Sequence, residues 1–346
     1  LVREPCVSRR TFIRNLGRLS LLLAMPGFAY GESAMSAGLY VDDGLARYGF
    51  PEGHPFGVDR QAAFLTEAEV QGLLTLASLE GGRTATREEI ERFHESAYVD
   101  KVYAAESTGL DFLDGGDTPA YPGVYDASSY VLGSALRGLD HVMSGKYRRT
   151  LQPIGGLHHA GRGHAAGFCV FNDVGAVIET LRSRYGVQRI AYIDIDVHFG
   201  DGVFYAFEAD PDVIIADVHQ DPRTLYPGTG FAHETGTGEA VGTKLNISLA
   251  PGSGDREFRN AWPQVEAHLE KFAPEFFIFQ CGADGLQGDP LAGLTYTPHT
   301  HAYAARQLRL LADRYAKGRL MAFGGGGYSR ANLGRAWSAV LTAFLS

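Results

Sequence analysis

Asp194, Asp196 and His198 stand two apart at the end of Ile190-Ala191-Tyr192-Ile193-Asp194-Ile195-Asp196-Val197-His198-Phe199-Gly200-Asp201-Gly202. The first half of this stretch is β-branched and aromatic and reads as a buried strand. Residues two apart in an extended chain share one face. Two carboxylates and an imidazole on one side of a strand end make a ligand set for a divalent metal. The plainer reading is a turn that uses Asp and Gly for its conformation, but apolar strands seldom finish in charged residues on one face. Asp284, in Cys281-Gly282-Ala283-Asp284, follows another apolar run. Alone it would read as a helix N-cap. Beside Asp196 and His198 it becomes a third ligand, and such a set leaves coordination positions open for catalysis.

Other polar clusters follow apolar pieces in the same way. His158-His159 closes Gly155-Gly156-Leu157-His158-His159, and Tyr328 follows four glycines, Gly324–Gly327. A histidine pair in a loop can be ordinary. Near a metal, one histidine is a natural base for water and the other can stabilise charge or serve the leaving group. Asp194 and Asp201 are then left to orient and tune those imidazoles. Tyr328 could be core, but the glycines let backbone approach closely and present the phenol on a loop, where it can donate to an oxyanion.

The elements needed to position these groups are legible as an alternation. Strands are expected over 37–41, from Ile190, and over 212–216, 245–249, 276–280 and 319–323. Helices are expected from a Thr66/Glu69 capping box through Leu79, from a Thr86/Glu89 capping box, and over 94–106, 127–143, 172–184, 260–271 and 299–315. Residues 110–125 read as a loop. The alternation predicts a single α/β domain, a mainly parallel sheet with helices on both faces. In such sheets ligands sit beyond the carboxyl ends of the strands, which is where the polar clusters fall.

The 346 residues, 45% of them hydrophobic, suffice for a large core. A net charge of −9, with no basic run beyond the amino terminus, argues against a nucleic-acid partner and would tolerate cationic substrates. Three cysteines, Cys6, Cys169 and Cys281, give no disulfide framework. Near the amino terminus, Ser8-Arg9-Arg10-Thr11-Phe12-Ile13-Arg14 precedes a short apolar run, Leu19 to Met25. This reads as a twin-arginine export signal over residues 1–36, ahead of a catalytic domain over 37–346, with a basic amphipathic helix as the alternative. It predicts a periplasmic or exported protein without stable membrane insertion after signal removal; otherwise the protein is cytoplasmic. The cleavage point and start are left open.

Taken together, Gly156-Leu157-His158-His159-Ala160, Gly167-Phe168-Cys169-Val170-Phe171-Asn172-Asp173, Asp194–His198, Tyr226-Pro227-Gly228-Thr229-Gly230, Gly282-Ala283-Asp284 with Gly288-Asp289-Pro290-Leu291, and Gly324–Tyr328 resemble the zinc-dependent histone deacetylase family. That family includes class I, acetoin-utilisation-type and acetylpolyamine-hydrolysing members. The likeness runs from about Tyr40 to Trp337. It implies an arginase/deacetylase-like α/β domain that removes an acetyl or related acyl group from an amine, such as acetyl-lysine in a peptide or an acetylpolyamine. By resemblance, Asp196, His198 and Asp284 would hold one Zn2+ per chain, with Fe2+ as the alternative. His159 would be the base and His158 its partner, with Asp201 and Asp194 behind them, and Tyr328 would polarise the carbonyl. Asp194 would also help hold a structural K+. Phe168 and Tyr226 would wall the substrate channel, Gly167 would receive the substrate N–H, and Leu291 would contact substrate. Asp117 would grip the substrate at the rim. Two departures stand out: Phe199 replaces a frequent second histidine, and Tyr226 replaces a frequent phenylalanine. Two other classes stay open, a non-catalytic acyl-amine binder and a binuclear-metal ureohydrolase. The sequence leaves the natural substrate and oligomeric state undecided.

Overall fold

Each β-branched or aromatic run that the sequence shows becomes a strand pointing the same way. The computed structural model describes residues 35–51 and 53–346, and these belong to one compact unit. The strands are β1 (Met35–Tyr40), β2 (Ser78–Glu80), β3 (Tyr147–Gln152), β4 (Ile190–Asp194), β5 (Val213–Gln220), β6 (Lys244–Leu249), β7 (Phe276–Gln280) and β8 (Leu320–Phe323). They form one sheet in the order β2-β1-β3-β8-β7-β4-β5-β6. Every pairing among them is parallel. A parallel sheet needs crossover connections and cover on both faces. The helices are α1 (Arg60–Val70), α2 (Arg87–Ile90), α3 (Ser96–Thr108), α4 (Val124–Met143), α5 (Asp173–Tyr185), α6 (Asp201–Ala206), α7 (Asp255–Phe272), α8 (Pro298–Tyr315) and α9 (Arg330–Leu345).

Side-chain alternation along the strands divides the core in two. Ile190 and Tyr192 of β4 point into a cluster with Leu132 and Leu136 of α4 and Val174 and Ile178 of α5. Ala191 and Ile193 point the other way, among Phe64 of α1, Trp262 of α7, Leu308 of α8 and Trp337 of α9.

Several expectations need correction. Thr66 does not cap a helix: α1 already runs from Arg60, and the Thr66 hydroxyl donates to the Ala62 carbonyl inside it. That helix stops at Val70, and residues 78–80 form the edge strand β2 rather than helix. The Thr86/Glu89 capping box is present in full. The strands β2 and β3 and the helices α6 and α9 have no counterpart in the sequence reading. Residues 1–34 of the proposed export signal lie outside the described residues, and its last two, Met35 and Ser36, already belong to β1. Among the described residues, no helix is long and apolar enough to cross a membrane.

Candidate active site

Four neighbouring strands, β3, β8, β7 and β4, carry the polar motifs on their carboxyl ends. Their register sets Asp194 level with Gln280, and Gln280 level with Phe323. The loops after these strands therefore start at one height and meet above the middle of the sheet. This is where α/β sheets bind ligands.

Asp196, His198 and Asp284 are buried, with potential ligand atoms within 4.8 Å of one another. His198 Nδ1 is 3.1 Å from Asp196 Oδ1 and 3.2 Å from Asp284 Oδ2. Asp284 Oδ2 is buried and accepts no hydrogen bond, although that imidazole is so near. Three electron-rich atoms facing one point repel unless a cation or proton stands between them. Without a metal, that demand falls on the imidazole. Burial pushes His198 down, but its hydrogen bond to Asp196 and the charges of Asp196 and Asp284 outweigh this and lift it to about 10. The cradle is shaped for the carboxylates: a Cβ on Gly282 would lie 1.9 Å from Asp196 Oδ2, and one on Gly326 would lie 2.1 Å from Asp284 Oδ2. Gln280 Nε2 donates to Asp196 Oδ2 at 2.9 Å, as does Gly326 N–H at 2.8 Å. Val197 N–H donates to Asp284 Oδ1 at 3.0 Å. Two carboxylates and one imidazole held from behind fit a divalent metal with open positions.

Asp194 does not join that trio, contrary to the one-face expectation from its spacing. Strand β4 ends at Asp194, and the chain beyond it turns away from extended geometry. Asp194 Oδ2 accepts from His158 Nδ1 at 2.8 Å and from the Tyr192 hydroxyl, while Oδ1 accepts from Asp196 N–H at 2.9 Å. Asp201 Oδ1 accepts from His159 Nδ1 at 2.6 Å. Both Nδ1 atoms thus face carboxylates and carry protons, and the two Nε2 atoms face each other at 3.1 Å. The pair is electrostatically split. Burial lowers His158, but Asp194 and then Asp196 outweigh it and raise the imidazole to about 9. His159 is lowered to about 4, by burial first and then by His158, against the pull of Asp201. Asp173, the first residue of α5, fixes the loop by accepting from Gly156 N–H and Leu157 N–H at 2.9 and 2.8 Å.

Tyr328 closes the third side. Burial, then the charges of Asp284 and Asp196, push its phenol well above the ordinary value, so it stays an O–H donor. Two residues without a role in the sequence reading hold its loop. Asp289 accepts from Tyr328 N–H at 2.8 Å and Ser329 N–H at 3.3 Å, and also from Leu291 N–H at 3.0 Å. Arg60, fully buried, donates to the Gly325 and Gly327 carbonyls at 2.6 and 3.1 Å. The Asp289 motif shows in the sequence; no local pattern gives Arg60 its role, because its partners are more than 260 positions away.

A cavity of about 220 Å3 leads to these groups, lined by Asp117, His159, Gly167, Phe168, His198, Leu225, Tyr226, Leu291 and Tyr328. All four wall or rim residues expected from sequence, Asp117, Phe168, Tyr226 and Leu291, are therefore on it, with Gly167. The Tyr226 ring stands edge-on to His159 at 5.1 Å, and the Phe168 ring edge-on to Tyr328 at 5.8 Å. Adjoining it is a chamber of about 10 Å3, lined by His158 and Asp196 together with Phe56, Leu157, Cys169 and Gly326, and sharing His159, Gly167, His198 and Tyr328 with the channel. A larger open groove of about 840 Å3, between the 43–47 turn and α4, contains none of these groups. Phe199 is buried against Phe204 and His219, away from the trio.

Residues 54–344 match the histone deacetylase domain family. The chain belongs to this family. It is 35% identical over 294 residues to the acetoin utilization protein AcuC of Bacillus subtilis (strain 168), covering 81% of this chain and 74% of that protein. It is 32% identical over 311 residues to AcuC of Staphylococcus xylosus, covering 87% of this chain and 80% of that one. Among solved structures, the HDA15 HD domain superposes with a TM-score of 0.82 at 25% identity, covering 90% of this chain and 88% of that chain. As a histone deacetylase family member, the protein is a hydrolase that deacetylates an acylated amine.

Proposed function

We propose that this deacetylase works with one divalent metal, zinc by the nature of its ligands, held by Asp196, His198 and Asp284. The reading is carried by one observation: this trio, the split histidine pair and Tyr328 meet at the floor of one channel. When bound, the cation supplies Lewis acidity, polarising the amide carbonyl and making water easier to deprotonate. His159, held low and so neutral at pH 7, takes the water proton on Nε2 as the water oxygen bonds to the carbonyl carbon. Tyr328 donates to the carbonyl oxygen as negative charge grows there. His158, held high and so cationic, stabilises that charge. The C–N bond then breaks, and the histidine pair returns a proton to the departing amine. Asp201 and Asp194 keep each Nδ1 protonated and each ring oriented.

The substrate stem would lie between Phe168 and Tyr226, with the Gly167 backbone receiving its N–H and Leu291 and Asp117 at the mouth. An acyl-lysine or acylpolyamine stem fits such a slot. With the carbonyl at Tyr328 and the stem in the channel, the acyl substituent would point into the small chamber that Asp196, His158 and His198 also line. A short acyl group such as acetyl fits a space shared with the metal ligands better than a long one. We also infer export by the Arg9-Arg10 signal, which residues 8–25 support. Its check is fractionation of a full-length Arg9→Lys/Arg10→Lys variant, which should stay inside the cell. A structural K+ beside Asp194 rests on the family resemblance; KCl should then raise the melting temperature more than equimolar NaCl.

The direct test of function is turnover of an acetyl-lysine amide by metal-loaded protein. Release of acetate, lost on chelation and restored by zinc, is expected. Tight binding of the amide without any acetate release would make the protein a binder, and two metal ions per chain with guanidine hydrolysis would make it a ureohydrolase.

A further inference from the structure

Phe168, one wall of the channel, has φ +68°. Non-glycine residues rarely adopt this left-handed region, and a bulky one persists there only where its surroundings over-determine it. Two buried hydroxyls do so. Phe168 N–H donates to Thr118 Oγ1 at 3.1 Å. The Phe168 carbonyl accepts from the Tyr48 hydroxyl at 2.8 Å, and that same hydroxyl accepts from Val170 N–H at 3.1 Å. Both hydroxyls are themselves aimed. Thr118 donates its proton to Asp114 Oδ2 at 2.5 Å, which leaves its oxygen lone pairs for Phe168. Thr118 is fully buried and Tyr48 is 1% exposed, so water cannot replace either bond. Asp114 also folds the rim: its Oδ1 accepts from the N–H groups of Gly116, Asp117 and Thr118, each at 2.9 Å.

From this geometry we infer that Tyr48 and Thr118 are positioning residues, a two-sided clamp that holds Phe168 in its left-handed conformation and thereby sets the bore of the substrate channel. Asp114, half-buried, extends the clamp to the rim, so that the wall at Phe168 and the backbone at Asp117 share one anchor. The inference rests on reading the 220 Å3 cavity as the acyl-amine channel. Neither clamp residue touches the metal trio, the histidine pair or Tyr328 through any hydrogen bond above. The clamp therefore governs how well a stem is gripped, not the chemistry at the floor. Released at either end, the Phe168 peptide is free to relax to negative φ and carry its ring out of the slot.

The test uses the metal-loaded full chain with Thr118→Val, which keeps shape but loses the acceptor, Tyr48→Phe, which loses only a hydroxyl, and Thr118→Ser, which keeps the hydroxyl. On an acetyl-lysine amide, Thr118→Val and Tyr48→Phe should each raise KM about tenfold with kcat within about twofold, the scale of one buried hydrogen bond lost. Thr118→Ser should return KM toward the wild-type value. The double variant should be no worse than the poorer single, since one free end already releases the residue. By hydrogen exchange, the Phe168 amide should lose protection in Thr118→Val while β4 amides keep theirs. The clamp is overturned if both variants keep wild-type KM, if Thr118→Ser is as poor as Thr118→Val, or if Phe168 protection is unchanged. If the wild-type protein releases no acetate, the functional reading fails, and the exchange experiment still decides the clamp.

Discussion

At the floor of the channel, each of these groups is gripped from behind by a buried or half-buried partner: Asp196 by Gln280, His158 by Asp194, His159 by Asp201, and the Tyr328 loop by Asp289 and Arg60. At the mouth the pattern reverses. Asp117 is exposed, and Tyr226 and Leu291 are 44% and 39% exposed on loops. The floor is borne on strand ends whose register leaves little freedom, whereas the mouth is borne on connections that tolerate change. The difference teaches that the reaction is fixed by the sheet and the choice of substrate by the loops. Substitutions at the floor should therefore cost turnover, and substitutions at the mouth should change how well a given amine stem is gripped while leaving kcat nearly intact.

The largest effect should come from the trio. Asp196→Ala, His198→Ala and Asp284→Ala should each remove tight metal binding and all measurable activity, since three ligands leave none spare. Elemental analysis checks this, and full metal content in all three variants would sink the site. Next, His159→Ala should cost ~10²–10⁴ in kcat, and Tyr328→Phe ~10²–10³, with metal content and melting temperature close to wild type. Near-normal rates from both purified, metal-replete variants would dismiss the mechanism.

A third effect is a shift rather than a loss. The base must be neutral, so kcat should fall on the acidic side as His159, which burial and His158 hold below the ordinary imidazole value, gains its proton. The partner must be cationic, so kcat should also fall on the alkaline side as His158, which Asp194 holds above that value, loses its own. Because the Asp194 charge raises His158, Asp194→Asn should move the alkaline limb downward while the acidic limb moves little. The two limbs belong to the pair as a unit. A single limb near pH 6.5 would mean that the histidines are not split. The smallest effect lies at the ends of the substrate. A butyryl-lysine amide should show kcat/KM at least ~10-fold below the acetyl amide. Asp117→Asn should raise KM only a few-fold on a peptide, on the order of one exposed polar contact. Equal rates for acetyl and butyryl substrates would mean that the inner chamber is not where the acyl group goes.

The same division explains what could be read without coordinates. The trio, the histidine pair and Tyr328 were legible because charged or aromatic residues end apolar runs there, against the habit of buried strands. Their supports were not. Arg60 acts on carbonyls of Gly325 and Gly327, and Thr118 on the amide of Phe168, through contacts that no local pattern announces. Strand β3 carries no local signal, because Tyr147-Arg148-Arg149-Thr150 looks like surface. Arg149 is nonetheless buried, paired with Asp313 of α8 at 2.5 Å. The two Thr-x-x-Glu sequences show how context decides. Thr86 follows a glycine-containing break and caps a helix, whereas Thr66 follows Gln61-Ala62-Ala63-Phe64, which carry the helix straight through it.

The strand β8 is made last and sits between β3 and β7. Until residues 320–323 leave the ribosome, the sheet can exist only as two ribbons, β2-β1-β3 and β7-β4-β5-β6. His158 and His159 follow the first ribbon, and Asp196, His198 and Asp284 belong to the second. The nascent chain can thus gather its metal ligands while its base is still unattached, and Tyr328 arrives only with the closing strand. A chain cut before β8 would carry every metal ligand and both histidines, yet lack the strand that joins the two ribbons and the phenol that follows it.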